Sequence, residues 1–124
     1  MPCSDSPALP KASGLGPVNI PEFGTVKKAV DFPALFEMSA YHHVQDGTKY
    51  PAVLLTTGLN DPVVDPWQSA KMAARLQTAT ASGRPVLLRV DDAGHDEWGS
   101  TRSQWYALRA DQLVFMLWQM KASL

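Results

Sequence analysis

Residues Tyr50–Trp67 read YPAVLLTTGLNDPVVDPW, and their reading decides the fold. Ala52-Val53-Leu54-Leu55-Thr56-Thr57 is a short apolar, partly β-branched run bounded by Pro51 and Gly58. Such a run is the pattern of a strand buried on both faces, as in a parallel sheet. It stops at a turn of Gly58, Asn60 and Pro62 that carries one acidic side chain, Asp61. A helix signal follows at once, with Asp65 as N-cap, Pro66 at the first helical position and Gln68 three residues beyond the cap. A carboxylate on the turn that leaves the C-terminal end of a parallel strand lies where open α/β sheets place their functional groups. Asp and Asn also favour turns for purely local reasons, so this stretch alone leaves both readings of Asp61 open.

Working outward, the helix extends to about Thr80, with Trp67, Ala70, Ala74 and Leu76 as its apolar face, and Ser82-Gly83 ends it. Pro85 then leads into a second strand-like run, Val86-Leu87-Leu88-Arg89-Val90. Strand, helix and strand within about 40 residues form a βαβ unit, whose right-handed crossover makes the strands parallel. The loop DDAGHDEWGS, residues 91–100, follows, and Thr101 with Gln104 gives a capping-box signature for a last helix. Trp105, Tyr106, Leu113, Met116, Leu117 and Met120 make its apolar arc, with Arg109 inside that arc and unaccounted for locally. Upstream, Asp31 and Pro33 start a short helix through Leu35 and Phe36. Residues 16–30, broken by Pro17, Pro21 and Gly24, read as irregular, with Lys27-Lys28 solvated, and residues 39–49 as a polar loop. Residues 1–15, MPCSDSPALPKASGL, read as a flexible lead-in.

The 124 residues carry a net charge of −1, with 45% hydrophobic and 19% charged residues, which is ordinary globular composition for one domain or part of one. No basic stripe points to nucleic acid. The longest unbroken apolar run, Leu113–Trp118, is far short of the roughly 20 residues of a membrane span. Met1 is followed by Pro-Cys-Ser-Asp rather than by a basic end and an apolar core, so no secretory leader is read and no cellular location is assigned. Cys3 is the single cysteine and has no partner within the chain. His42 and His43 are adjacent and would point differently from a strand or a helix, so they do not read as a shared metal site. Asp91, Asp92, Asp96 and Glu97 read as a solvated carboxylate cluster, and Gly14 and Gly16 lack the context of a phosphate loop. No metal and no cofactor are expected. Trp67, Trp98, Trp105 and Trp118 are expected in the core or as cover for the sheet.

The informative coincidence is positional. Asp61 leaves the first strand and His95 lies on the loop leaving the second, so a parallel pair delivers both to one edge of the sheet. An Asp that accepts a ring N–H fixes the His tautomer and stabilises the imidazolium formed when the other nitrogen takes a proton. Spacing alone leaves this acid–base reading beside that of a structural His next to a turn Asp.

The runs YPAVLLTTGLNDPVVDPWQSAKMAARLQ and PVLLRVDDAGHDEWG, with IPEFGTVKKAVDFPALFEMSAYHHV upstream, resemble the C-terminal part of the prolyl oligopeptidase family of α/β-hydrolase serine peptidases. The resemblance spans about Gly16 to Met120, so residues 16–124 are expected to be the C-terminal portion of such a catalytic domain. It implies that Asp61, in N-D-P-V-V, is the triad acid and that His95, in A-G-H-D, is the base. Two positions depart from the family pattern. Val63 stands where the family often has a substrate-binding Arg, and Asp96 replaces the usual Gly, adding a charge that favours imidazolium. The nucleophile of the family is a Ser in G-x-S-x-G, which also supplies an oxyanion-hole N–H. No Ser of this sequence has Gly at both flanking positions; Ser69, for example, has Trp67 and Lys71.

The expectation is therefore a partial α/β-hydrolase fold that carries the acid and the base of a serine peptidase without its Ser, inactive alone. Its partners would be a short, often proline-containing peptide in the full-length enzyme, and either the missing N-terminal part or a second copy at an open strand edge. Two alternatives remain at this stage: a non-catalytic remnant serving as an interaction module, and a piece of an esterase or acyl-peptide hydrolase of the same fold.

Overall fold

The computed structural model describes residues 19–95 and 99–120. Expectations for the lead-in, for Cys3 and for Asp96, Glu97 and Trp98 lie outside the described residues. In chain order come α1 (Ile20–Phe23), α2 (Phe32–Glu37), β1 (Val53–Gly58), α3 (Pro66–Ala79), β2 (Val86–Asp91) and α4 (Arg102–Gln119). The strands pair parallel, in register from Val53 opposite Val86 to Gly58 opposite Asp91. The βαβ unit expected from the sequence is present, and the end of β1 lies beside the end of β2.

One face of this sheet forms the core. Val86 packs with Leu76 and Ala79 of α3 and with Val44, while Tyr50, Val53, Leu55 and Met72 close around them. Burying each larger aliphatic side chain contributes roughly 1.5–3 kcal/mol. The loop before β1 is stitched to α3: Gly47 N–H donates to the Ala79 carbonyl at 2.8 Å, Ala81 N–H to the Thr48 carbonyl at 2.9 Å, and Arg75 pairs with Asp46 and with the Val44 carbonyl. The face that α3 turns to the core consists of Gln68, Ala73, Leu76 and Ala79. Ala70 and Ala74, expected there, are exposed. An alanine carries little pattern signal, and a fully buried Gln at 1% exposure inverts the polarity rule by which the face was chosen.

Among the described residues the other sheet face is only partly covered. Leu87, on the face opposite Val86, is 43% exposed, and Val90, on the same face as Val86 but beyond the core, is 45% exposed, so among the described residues the strands are not buried on both faces. Leu54, Leu87 and Leu88 instead look onto a groove of about 390 Å³ bounded by Val114, Phe115 and Trp118 of α4. Of α4 only Leu108 is buried; Trp105, Tyr106, Leu113, Met116 and Trp118 stay exposed, against the expectation that this arc and its tryptophans pack away. Arg109 finds its account here: its guanidinium lies over the Trp105 ring and donates to Gln112 at 2.9 Å. Residues 20–23, expected to be irregular, form one helical turn because Pro21 occupies its first turn, where a missing N–H costs nothing. Lys27 and Lys28 are exposed as expected. No helix among the described residues is long and apolar enough to cross a membrane.

Candidate active site

The two strand exits are tied together before either functional side chain is reached. Leu59 N–H donates to the Asp91 carbonyl at 2.8 Å and Asn60 N–H to the Ala93 carbonyl at 3.1 Å. The approach is closest at Gly58, where a Cβ would lie 2.1 Å from the Ala93 carbonyl oxygen. Only glycine lets the backbones come this near. Asp91 supports the same corner, since its carboxylate accepts the Ala93 N–H at 3.0 Å and pairs with Arg89 at 2.6 Å. Arg89 also reaches Asp111 on α4 at 2.7 Å. The carboxylate cluster of the sequence is thus partly structural: Asp91 is occupied by Arg89 and by a backbone N–H.

From this frame Asp61 and His95 converge. His95 Nδ1 lies 3.1 Å from Asp61 Oδ2 and 3.2 Å from Oδ1. The Asp61 side chain is 12% exposed and that of His95 is 32% exposed, so the pair is sheltered at the carboxylate and accessible at the ring. The N–H groups of Val63 and Val64 donate to Asp61 Oδ1 at 2.8 and 2.9 Å, fixing the carboxylate from its own turn. Burial pushes the Asp61 carboxyl up; the N–H bonds from Val64 and Val63 and the His95 ring together outweigh it, holding the carboxyl below its ordinary value. An ionised carboxylate only accepts, so Nδ1 of His95 carries the ring proton and Nε2 is the nitrogen that can take another. Chemically, such an arrangement can act as an oriented base backed by an anion.

The pair opens onto a cavity of about 290 Å³ that Thr57, Ser69, Gly94 and Leu108 also line. Sequence reasoning missed Ser69 and Leu108, because a helix residue and a residue of a distant helix give no sign that they face a loop. It also treated Gly58 and Asn60 as mere turn formers. Val63, at the position of the family Arg, contributes its backbone to Asp61 while its side chain is half-buried. A second Ser–His contact, Ser39 Oγ to His42 Nδ1 at 2.6 Å, is of a different kind. Ser39 is fully buried, and His42 packs against Phe36 and Tyr41, so no substrate reaches the hydroxyl.

The model of the prolyl oligopeptidase family matches residues 16–123. The prolyl endopeptidase of Elizabethkingia miricola is 37% identical over 101 residues, which are 80% of this chain and 14% of that protein. Dipeptidyl aminopeptidase BI of Pseudoxanthomonas mexicana is 34% identical over 100 residues, again 80% and 14%. A solved prolyl endopeptidase superposes with a TM-score of 0.82 at 31% identity, covering 90% of this chain and 16% of its own. The chain therefore spans a small part of the length of the relatives it matches, and its βαβ unit is a portion of an α/β-hydrolase fold. By sequence and by structure, the chain belongs to the prolyl oligopeptidase family.

Proposed function

We propose that residues 16–124 are the acid- and base-bearing C-terminal portion of a prolyl-oligopeptidase-like serine peptidase, preceded by a lead-in of residues 1–15. In the complete enzyme His95 is the general base toward a Ser supplied by another part of the catalytic domain, and Asp61 orients His95. The substrates are short, often proline-containing peptides. The observation that carries this reading is the 3.1 Å contact between His95 Nδ1 and Asp61 at the exits of two parallel strands. The names of the relatives, endopeptidases and an aminopeptidase among them, support the peptide class.

The base alone does not hydrolyse peptides. It needs an alkoxide-forming hydroxyl at Nε2 and an N–H donor for the developing oxyanion. The sequence contains no G-x-S-x-G, which would supply both. In serine peptidases loss of the Ser alone removes about 10⁶ in turnover, so the 124-residue chain by itself should show no peptidase activity. The test mixes it with a family polypeptide that ends before the acid-bearing strand and carries the Ser elbow. Hydrolysis of a proline peptide that appears only in the mixture, and is lost with His95→Ala and strongly reduced with Asp61→Ala, is the expected result. Hydrolysis by the isolated chain that His95→Ala abolishes would contradict the division of labour. No activity in a mixture that demonstrably assembles would favour a non-catalytic interaction module.

A further inference from the structure

The loop that carries His95 is held at three successive residues, all by the segment immediately before Asp61. Leu59 N–H takes the Asp91 carbonyl at 2.8 Å, the Asn60 side-chain amide donates to the Asp92 carbonyl at 2.7 Å, and Asn60 N–H takes the Ala93 carbonyl at 3.1 Å. Gly94 and His95 follow directly. Two of these bonds belong to the backbone and would form with any residue type. The third, from Asn60 Nδ2, depends on the side chain. It is also the only one that grips the loop from the side, because the backbone bonds continue the ladder of the parallel strands into the exits.

We infer that Asn60 is a positioning residue whose side-chain amide, by holding the Asp92 carbonyl, sets the separation of the Asp61 carboxylate and the His95 ring. The inference rests on the reading of Asp61 and His95 as acid and base. Its logic is mechanical. Asn60 is adjacent to Asp61, so one short segment carries the acid and grips the loop of the base. Displacement of that loop is then opposed at Asp92, three residues before His95. A brace at this distance acts on a contact between two side chains that lie 34 residues apart in the chain. Gly58 permits the close approach that brings the loop within reach of the Asn60 amide, because the Ala93 carbonyl occupies the space a Cβ would fill. Asn60 is exposed, so its replacement leaves the core of the sheet untouched.

The test reads the His95 ring N–H proton by NMR in the 124-residue chain, assigned by its loss in His95→Gln. Two variants of nearly the same shape remove the donor: Asn60→Leu without adding charge, and Asn60→Asp with a carboxylate facing the Asp92 carbonyl. Both should speed exchange of the ring proton with water by roughly tenfold, the effect of one hydrogen bond, while the Leu55 and Leu88 amides keep their protection. Asp61→Ala is the control for the acid–base pair and should abolish the protected ring proton with Asn60 intact. If Asp61→Ala abolishes it but either Asn60 variant leaves it unchanged, the inference is overturned and the acid–base reading stands. A ring proton indifferent to Asp61→Ala removes the acid–base reading and the inference with it. Loss of protection in the sheet amides together with the ring proton makes Asn60 a general brace of the fold, and that too overturns the inference.

Discussion

At the scale of single residues, Asp61 is where the local chemistry has the clearest thermodynamic signature. Burial works against its ionised form, yet two backbone N–H groups and the His95 ring keep the carboxyl below its ordinary value of 3.8. The folded chain therefore favours the carboxylate more than the unfolded chain does. The stability this contributes is complete above the unfolded value and is lost as pH falls through the lower folded value. Urea midpoints measured against pH should decline as pH falls below the ordinary value, and Asp61→Asn should flatten that decline; an unchanged slope in the variant would show that the carboxylate is not held as described. Asp61 and His95 were legible in the sequence because each follows a strand signal directly, and a parallel pair has only one edge for both exits. Gly58 and Asn60 were not legible as parts of the site. Their roles depend on how closely two backbones approach, and a turn-forming Gly or Asn reads the same whether or not another chain segment lies against it.

At the scale of elements, the two longer helices begin with what looks like the same device and differ in what they do with it. Thr101 forms the full capping box, accepting from Gln104 N–H at 3.3 Å while its own N–H donates to Gln104 Oε1 at 2.7 Å. Asp65 occupies the N-cap of α3 with Pro66 behind it, but makes no side-chain cap bond, and its Oδ2 is buried without a hydrogen-bond partner. Gln68, which the capping-box pattern would turn back toward Asp65, is drawn instead into the packing beneath the helix. Tertiary burial overrides a local motif whose sequence is complete. Thr101→Ala should therefore cost about 1 kcal/mol, whereas Asp65→Ala should cost less than about half of that or stabilise the chain, since it removes an unsatisfied buried oxygen. Denaturant midpoints of the two variants check the contrast, and equal losses would show that Asp65 caps after all. The helix boundaries themselves were legible, because Pro66 and the Thr101–Gln104 pair are short-range signals that tertiary contacts do not move.

At the scale of the whole molecule, the sequence was read as if every apolar run would find cover, and it is here that reading and structure part. Leu87, Val90, Leu113, Met116 and Trp118 read as interior by pattern and are 43–57% exposed. The relatives are much longer, and the match covers only 14% of the Elizabethkingia miricola protein. Hydrophobic periodicity reports which face of a strand or helix is meant to be buried, and does not report which polypeptide buries it. Among the described residues the parallel pair has one partly open face and no further strand at either edge, which makes it a template for association, and the groove on that face joins the strands to the exposed helix α4. Light scattering should give a mass above 13.5 kDa that rises with concentration. A charge in the groove, Leu87→Glu or Val114→Glu, should shift the distribution toward monomer by burdening the interface with an unpaired carboxylate. The same substitutions should also weaken assembly with the Ser-bearing polypeptide if that partner covers this face in the complete enzyme. An Asp92→Asn control, altering an exposed carboxylate away from the groove, should do neither. A chain that stays monomeric at every concentration and melts cooperatively would mean that two strands and α3 suffice as a stable core, and that the exposed leucines and tryptophans cause no association.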